Sequence, residues 1–301
     1  MTEQNTVLGI WLMVATTLIF AIQDGVSRHL ASEYNVLMVV MIRFWFLAAL
    51  VVVVAGRRAG GWRNATRSNR PMLQLFRGVL LVAEICVMVT GFTYLGLIES
   101  HAMFISYPLL VAALSGPILG ERVGWRRWTA IAVGFLGMMI ILQPGMAVFS
   151  PYALLPLLAA FMFALYGLLT RYAARHDSAA VSFYWTGITG AATMTLVGIW
   201  FWEPMIAPDW GWMGLLCLTS VAGHWTLIKA YEVAEASAVQ PFAYLQLVFG
   251  AVIGLTVFNE VLRWNVATGA AIVVAAGLFT LWRAQKVAAT PTPTLPGPPV
   301  G

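Results

Sequence analysis

Residues 107–125 read YPLLVAALSGPILGERVGW, and residues 246–264 read QLVFGAVIGLTVFNEVLRW. The two passages align without a gap at a shift of 139 residues, and in each a Glu ends one apolar run and a Trp opens the next. The shift is close to half of the 301-residue chain, so the sequence predicts a duplication, with one copy over residues 1–145 and a second over residues 146–287. Residues 288–301 are predicted to form a disordered Pro-rich tail.

The composition around these passages is that of a membrane protein. Apolar residues make up 60% of the chain and charged residues 10%, and the mean hydropathy is +0.83. A water-soluble domain carries about 25% charged residues. A soluble enzyme, a nucleic-acid-binding protein and a disordered chain are therefore excluded, and the lipid bilayer is the expected environment.

Apolar runs long enough to cross a bilayer, which takes about 20 residues, occur ten times. The first run has no small-residue cleavage site after it and is expected to remain as a helix. We predict an all-α integral membrane protein with ten transmembrane helices over Val7–Val26, Val36–Ala55, Met72–Tyr94, Ala102–Leu119, Trp128–Leu142, Pro151–Thr170, Ala180–Phe201, Gly211–Lys229, Val239–Phe258 and Val266–Trp282.

The distribution of basic residues predicts the orientation. If the chain alternates across the membrane, fourteen of the 17 Lys and Arg fall in the loops and helix ends on the side of the termini, and two, Arg28 and Arg263, fall on the other side. The positive-inside rule then places both termini in the cytoplasm. Five helices per copy is an odd number, so the second copy is expected to have inverted topology, with Glu121 at the cytoplasmic face and Glu260 at the outer face.

Cysteine and histidine give no sign of a disulfide, metal or cofactor. Cys86 and Cys217 both lie within predicted spans, where small apolar packing is the usual role. No group of Cys and His has the spacing of metal ligands. We therefore expect neither a metal nor a cofactor.

Short motifs identify a family resemblance. The first half contains LFRGVL around Arg77 and Gly78, Pro108 in the fourth span, and Gly120-Glu121 at its end. The second half contains AVQP ending at Pro241, and FNE ending at Glu260. These features resemble the EamA-type members of the drug/metabolite transporter superfamily over about residues 7–285, although Leu247 stands where a Pro is often found. Within the family, the chain is similar to bacterial YddG-type exporters of aromatic and other amino acids.

The resemblance implies a function. It implies an exporter in the bacterial inner membrane that moves amino acids, aromatic and other neutral ones, by alternating access through a central cavity. It also implies that the fifth and tenth helices lie at the periphery. An exporter of other metabolites or drugs in the same superfamily is the main alternative. An intramembrane enzyme and a passive channel are less favoured, because no protease motif and no ring of like charges is present. Whether the protein is a monomer or a homodimer stays open.

Two charged residues fall deep within predicted spans. Ionisable groups in the hydrocarbon core are costly and are therefore functional candidates. Arg43 is about 10 Å below the outer face and Glu84 about 15 Å, at 1.5 Å per residue. We hypothesise that they form an ion pair, with either a structural role or a role in binding a substrate ammonium group or a proton.

An amino acid needs acceptors for its ammonium group, donors for its carboxylate and an apolar or aromatic slot for its side chain. Polar and aromatic side chains on the third, fourth, sixth, eighth and ninth spans meet these needs, with His101 expected at the outer mouth of the fourth. The candidate substrate-binding residues are Glu84, His101, Tyr107, Tyr166, His224, Trp225, Tyr244 and Gln246.

Gating and packing candidates complete the prediction. Asp24 is expected to end the first helix at the outer side, as a cap or a gate contact. Pro108 and Pro241 interrupt helices and are candidate hinges. Gly134, Gly137, Gly269 and Gly277 are expected to permit close packing of helices.

Overall fold

The computed structural model describes residues 5–57, 63, 66–120, 124–143, 150–173, 176–234 and 239–288. Within these ranges the regular structure is helical, without strands. The α-helices are α1 (Thr6–Glu33), α2 (Val36–Arg57), α3 (Pro71–Leu95), α4 (Leu97–Phe104), α5 (Tyr107–Leu119), α6 (Trp125–Leu142), α7 (Leu154–Ala173), α8 (Ala179–Gly198), α9 (Ala207–Val233), α10 (Leu245–Val257) and α11 (Trp264–Ala288). The predicted Glu121 and nearly all of the predicted tail lie outside the described residues.

Five helical segments of the described chain are long and apolar enough to cross a membrane. Three further apolar helices are shorter. Large apolar side chains are also exposed on the outside of the bundle, among them Trp200 and Trp264, each 82% exposed. Exposed apolar surface on this scale is typical of a face in contact with lipid. The chain is therefore a multi-pass membrane protein. The five long segments are Thr6–Glu33, Val36–Ala55, Pro71–Leu95, Leu97–Ile118 and Pro151–Thr170.

The fourth predicted span begins earlier than expected and is broken. Only Gly96, at φ +84°, separates α3 from α4, and this left-handed conformation favours glycine. The helix breaks again after Phe104, and α5 begins at Tyr107 with Pro108 in its first turn. Pro108 lacks an N–H, and its ring would clash with the carbonyl four residues earlier, at Phe104. The predicted interruption at Pro108 is therefore confirmed, whereas the predicted start of the span at Ala102 is wrong by five residues.

The first helix is longer than predicted. α1 continues to Glu33, about two turns beyond the expected end at Val26. At 1.5 Å per residue the extension adds about 10 Å. Asp24 consequently lies inside the helix, and the prediction that it ends the helix is wrong.

The two passages aligned in the sequence have matching local structure. α5 and α10 are each 13 residues long. The residues that pair at the end of these helices, Gly120 and Asn259, both have positive φ, at +75° and +52°. The next helix begins at Trp125 in the first passage and at Trp264 in the second.

The helices pack in pairs from different halves of the chain. α1 packs against α9, α3 against α7, α2 against α8, and α6 against α11. A Cβ on Gly137 would lie 2.8 Å from the carbonyl oxygen of Gly269, so α6 and α11 approach to a distance that only glycine permits. The predicted packing role of these two glycines is confirmed. A Cβ on Gly134 would lie 2.1 Å from the Leu109 side chain, so the predicted packing role of Gly134 is confirmed as well.

Candidate functional site

A carboxylate in the interior of α1 connects three helices. Oδ2 of Asp24 lies 3.1 Å from Nε2 of His101 on α4. The same oxygen accepts a hydrogen bond of 3.0 Å from Nε2 of Gln246 on α10. The Asp24 side chain is 15% exposed. The structure thus brings together two predicted binding residues and one predicted gating residue, which are far apart in the sequence.

His101 is held on all sides. Its Nδ1 lies 2.9 Å from the carbonyl oxygen of Leu97, one turn earlier in α4. Its ring stacks on Phe92 of α3, with 5.3 Å between the ring centroids. The backbone of α10 packs against another side of the ring at Gly250, where an added Cβ would lie only 3.1 Å from Nδ1 of His101. His101 is 2% exposed, so it lies inside the bundle, and the prediction that it lies at the mouth of a helix is wrong.

Arg43 on α2 and Glu84 on α3 are both buried, but they are not paired. Arg43 donates from Nε to Oγ of Ser220 on α9, at 2.7 Å. Within the described residues Glu84 forms no hydrogen bond or salt bridge, so the hypothesis of an Arg43–Glu84 ion pair is wrong. Both charges still lie within electrostatic range of each other and of Asp24. The direction in which the Arg43 side chain leaves its helix, toward Ser220, was not predicted.

His224 and Trp225 of α9 face different surroundings. Nδ1 of His224 lies 2.8 Å from the carbonyl oxygen of Ser220, and its ring packs edge to face against Phe20 of α1. His224 is within electrostatic range of Arg43. Trp225 is 44% exposed, with the ammonium group of Lys229 over its ring, and it lies outside this cluster. We define the Asp24 site as Asp24, Arg43, Glu84, His101, Ser220, His224 and Gln246.

Aromatic side chains form a second cluster, between α4, α5 and α7. Phe163 lies 5.4 Å from Phe104 and 5.0 Å from Tyr107, measured between ring centroids. Tyr166 stacks on Phe163 at 6.3 Å. Phe104 is three residues beyond His101, so this aromatic cluster begins one turn from the Asp24 site. Tyr107 and Tyr166 were predicted, whereas Phe104 and Phe163 were missed because a Phe in an apolar run has no distinguishing signal.

Tyr244 lies apart from both clusters. It is buried in the short 3-10 helix Gln240–Tyr244, which precedes α10. Its hydroxyl points at α11, where a Cβ on Gly277 would clash with it. The structure therefore does not bring Tyr244 together with the other predicted binding residues. Pro241 lies in the first turn of the same 3-10 helix, as Pro108 lies in the first turn of α5.

A charged network closes the bundle where α4 begins. Glu260, which follows α10, accepts hydrogen bonds from the backbone N–H groups of Leu97 (2.7 Å) and Ile98 (2.9 Å). The guanidinium of Arg28 on α1 forms a salt bridge with the same carboxylate and lies over the ring of Phe258. A second salt bridge joins Arg263 to Glu99 of α4. We call this the Glu260 end of the bundle.

The opposite end of α3 carries a different polar cluster. Asp177, between α7 and α8, accepts hydrogen bonds from the hydroxyl of Ser68, the backbone N–H of Asn69 and the side-chain amide of Gln74. Partial burial opposes the negative charge, but these donors outweigh it and hold the pKa of Asp177 below its usual value. We call this the Asp177 end.

Arg77, of the LFRGVL motif, extends the Asp177 end into the bundle. It is 1% exposed and donates from Nε to the hydroxyl of Thr170 at 3.0 Å, and from another nitrogen to the amide oxygen of Gln74. Its guanidinium lies 5.1 Å from the ring centroid of Tyr166. Arg77 therefore joins the aromatic cluster to the Asp177 end, a role that its place in the motif did not reveal.

The model of the EamA-like transporter family matches residues 7–143 and again residues 150–282. The chain belongs to the EamA-like transporter family. The resemblance drawn from the motifs is therefore confirmed. Members of this family are transporters and not enzymes, and the prediction that the chain is not an enzyme is confirmed with it.

Individual relatives of this EamA-like transporter cover nearly its whole length. A riboflavin transporter of Vibrio cholerae serotype O1 is 30% identical over 289 residues, which are 92% of this chain and 94% of the relative. An S-adenosylmethionine uptake transporter of Rickettsia prowazekii is 27% identical, with the same coverage. A pseudopaline exporter, CntI, of Pseudomonas aeruginosa is 25% identical and covers 89% of this chain and 94% of its own.

A solved crystal structure has the same fold as this EamA-like transporter. It superposes with a TM-score of 0.59 and covers 94% of this chain and 98% of the other. The sequence identity is 17%, so the likeness concerns the fold alone.

Proposed function

We propose that this transporter exports amino acids, aromatic and other neutral ones, across the bacterial inner membrane, and that it binds them at the Asp24 site. The observation that carries the proposal is the separation of Arg43 from Glu84. A buried guanidinium and a buried carboxyl group that do not pair with each other are each available to an oppositely charged group of a ligand. A zwitterionic amino acid supplies both.

The roles of the charged groups follow from their chemistry. Arg43 presents a planar guanidinium, which suits a carboxylate and uses only Nε on Ser220. Glu84 presents a carboxylate that accepts no hydrogen bond from any described residue, which suits an ammonium group. The aromatic cluster begins one turn beyond His101 and offers ring faces to an apolar or aromatic side chain.

We further propose that ten helices form two five-helix repeats of inverted topology, whose rocking exposes the Asp24 site to each side of the membrane in turn. Three findings support this. The family model matches the two halves separately, the aligned passages share their local structure, and helices pair across the halves. The excess of basic residues in alternate loops supports cytoplasmic termini.

S-adenosylmethionine is a second candidate substrate. Its ammonium and sulfonium groups are two cations, and its carboxylate is one anion. The Asp24 site holds two carboxylates, Asp24 and Glu84, and one guanidinium, Arg43. A relative named as an S-adenosylmethionine uptake transporter favours the same candidate.

Counterflow in proteoliposomes tests the proposal. Vesicles are loaded with unlabelled phenylalanine, and labelled phenylalanine is added outside at equal pH. We expect transient accumulation that phenylalanine inhibits and phenylalaninamide, which lacks the carboxylate, does not. In Arg43→Gln we expect the two inhibitors to become equally weak.

The same vesicles distinguish the candidates. If phenylalanine and tryptophan give no counterflow while S-adenosylmethionine does, the amino-acid proposal is wrong and the second candidate stands. If riboflavin alone exchanges, both are wrong. Trp225→Leu is the matched control, because Trp225 lies outside the Asp24 site, and it should leave inhibition unchanged.

A further inference from the structure

One contact of the Asp24 site lacks a donor unless an extra proton is present. The carbonyl oxygen of Leu97 only accepts hydrogen bonds, so Nδ1 of His101 carries its hydrogen there. In a neutral imidazole the other nitrogen, Nε2, then has only a lone pair. That lone pair would face Oδ2 of Asp24 at 3.1 Å, and an ionised carboxylate also only accepts.

The position of the extra proton follows from the third partner. Gln246 donates its amide N–H to the same oxygen, Oδ2 of Asp24, at 3.0 Å. A hydrogen bond donated to this oxygen favours the ionised carboxylate, and imidazole is ordinarily the stronger base of the two groups. The proton therefore belongs on Nε2, which makes the contact an imidazolium–carboxylate hydrogen bond between α4 and α1.

We propose that Asp24 and His101 form a proton-binding site, and that binding and release of this proton are coupled to the movement of substrate. The inference rests on the proposed carrier function and adds an ion to it. When Nε2 gives its proton to water, its N–H bond breaks and its electron pair stays on the nitrogen. The lone pair then faces the carboxylate, and the attraction that holds α4 against α1 is lost.

The surroundings favour one proton at this site. Among the described residues, Arg43 on α2, Glu84 on α3 and His224 on α9 lie within electrostatic range of Asp24. On α1 itself, Arg28 lies one turn away, and Glu260 neutralises it. α10 contributes the neutral Gln246 and has no titratable residue in its sequence.

The placement links protonation to conformation. Asp24 joins α1 to α4 and to α10, which belong to different halves of the chain. If the halves rock, the contact that separates is the one between Asp24 and Gln246, because His101 lies in the same half as Asp24. This separation costs less while the imidazolium of His101 still donates to the carboxylate, and more after the proton has left, because Gln246 is then the donor that remains on this oxygen. Substrate that binds Arg43 and Glu84 nearby changes the same local charge balance.

The test separates exchange from net transport. Wild-type protein in proteoliposomes is given labelled phenylalanine under an imposed pH gradient, and counterflow at equal pH is measured in parallel. We expect the gradient to drive accumulation of labelled phenylalanine at least 5-fold above the level reached without a pH gradient. In Asp24→Asn and His101→Gln we expect the ratio of gradient-driven accumulation to counterflow to fall to its value without a gradient, whatever part of the counterflow each variant keeps.

A matched control exists at the surface. His29 of α1 lies 4.0 Å from Asp209 and forms a second His–Asp contact, with the His29 side chain 41% exposed. His29→Gln should keep gradient-driven accumulation at the wild-type level. If the wild type exchanges substrate but ignores the pH gradient, the proton site is refuted and the carrier function stands. If no tested substrate exchanges in the wild type, the proposed function itself fails.

A second measurement does not depend on transport. Nitrogen-15 spectra of histidine-labelled full-length protein in nanodiscs report whether both ring nitrogens are protonated, and His101→Gln identifies the signal. We expect an imidazolium signal from His101 at neutral pH in the wild type, and a neutral imidazole in Asp24→Asn. A neutral His101 in the wild type throughout pH 5 to 8 would overturn the proposal.

Discussion

Replacing Glu260 by Gln is expected to loosen the Glu260 end of the bundle. The carboxylate accepts the backbone N–H groups of Leu97 and Ile98, which are among the first donors of α4 without a partner within the helix. It also neutralises Arg28, whose side chain is 20% exposed. A Gln keeps one acceptor oxygen, presents an amide N–H to the second backbone donor, and leaves the Arg28 charge without its partner.

The magnitude follows from these contacts. Loss of a helix cap costs about 1 kcal/mol. A salt bridge at this level of exposure lies between the surface and the buried cases, and its loss costs about 1–2 kcal/mol. Together they favour the open state by about 2–3 kcal/mol. Since 1.4 kcal/mol is a factor of ten, the population that is open at this end rises about 30- to 140-fold.

Thiol labelling measures this population. Ser100 of α4 is fully buried, and its hydroxyl has no hydrogen-bond partner in the described structure, so Ser100→Cys is a mild probe. Cys86 and Cys217 are first replaced by Ala. With a membrane-impermeant maleimide, we expect Glu260→Gln to raise the labelling rate of the probe by about the factor given above.

A matched control distinguishes a local effect from general loosening. Glu203 also accepts a backbone N–H, from Asn35, but it lies outside the Glu260 network. Glu203→Gln should leave the labelling rate within about 2-fold of the parent. If both variants label alike, or if Glu260→Gln labels no faster than the parent, Glu260 does not hold this end closed and the reasoning fails.

Two further predictions concern the free energy of unfolding in detergent, which is measured by thermal unfolding. Asp177→Asn should lower the free energy of unfolding by about 1–2 kcal/mol at neutral pH, because Asp177 accepts three hydrogen bonds. Since the folded state holds the pKa of Asp177 below its unfolded value, this contribution is present above about pH 4 and is lost in more acidic solution, so the wild type and the variant should converge there; a constant difference would contradict it. Gly78→Ala should destabilise the protein by about 1–3 kcal/mol, because the added Cβ would lie 2.6 Å from Cβ of Thr189. Gly167→Ala meets no atom within 4 Å and should be neutral or slightly stabilising, so equal losses in the two variants would refute the packing argument.

Some features of the fold could be predicted from the sequence because they depend on local chemistry. The length of the apolar runs located the five described segments that are long and apolar enough to cross a membrane. The alignment of the two passages placed the starts of α6 and α11 at equivalent residues, Trp125 and Trp264. The interruption at Pro108 was predicted, because a Pro interrupts a helix, whereas the start of α4 at Leu97 was placed five residues too late.

The site was only partly predictable, because its contacts are distant in the chain. Asp24 meets His101 and Gln246 across 77 and 222 residues of sequence. All three residues were candidates because of their side-chain chemistry, but no local sequence pattern indicates which candidates contact one another. Arg43 was paired wrongly with Glu84, because depth in the membrane does not fix the direction in which a side chain leaves its helix. That direction is set by packing between α2 and α9, where Ser220 lies.

The central claim is that the Asp24 site opens to each side of the membrane in turn. Ser220→Cys in a background without other cysteines tests it directly, because Ser220 is 2% exposed and lies beside Arg43. The probe is labelled with an impermeant maleimide added to one side or the other of oriented vesicles. We expect labelling from both sides, with substrate slowing each. Labelling from one side only, or from neither, would contradict the account.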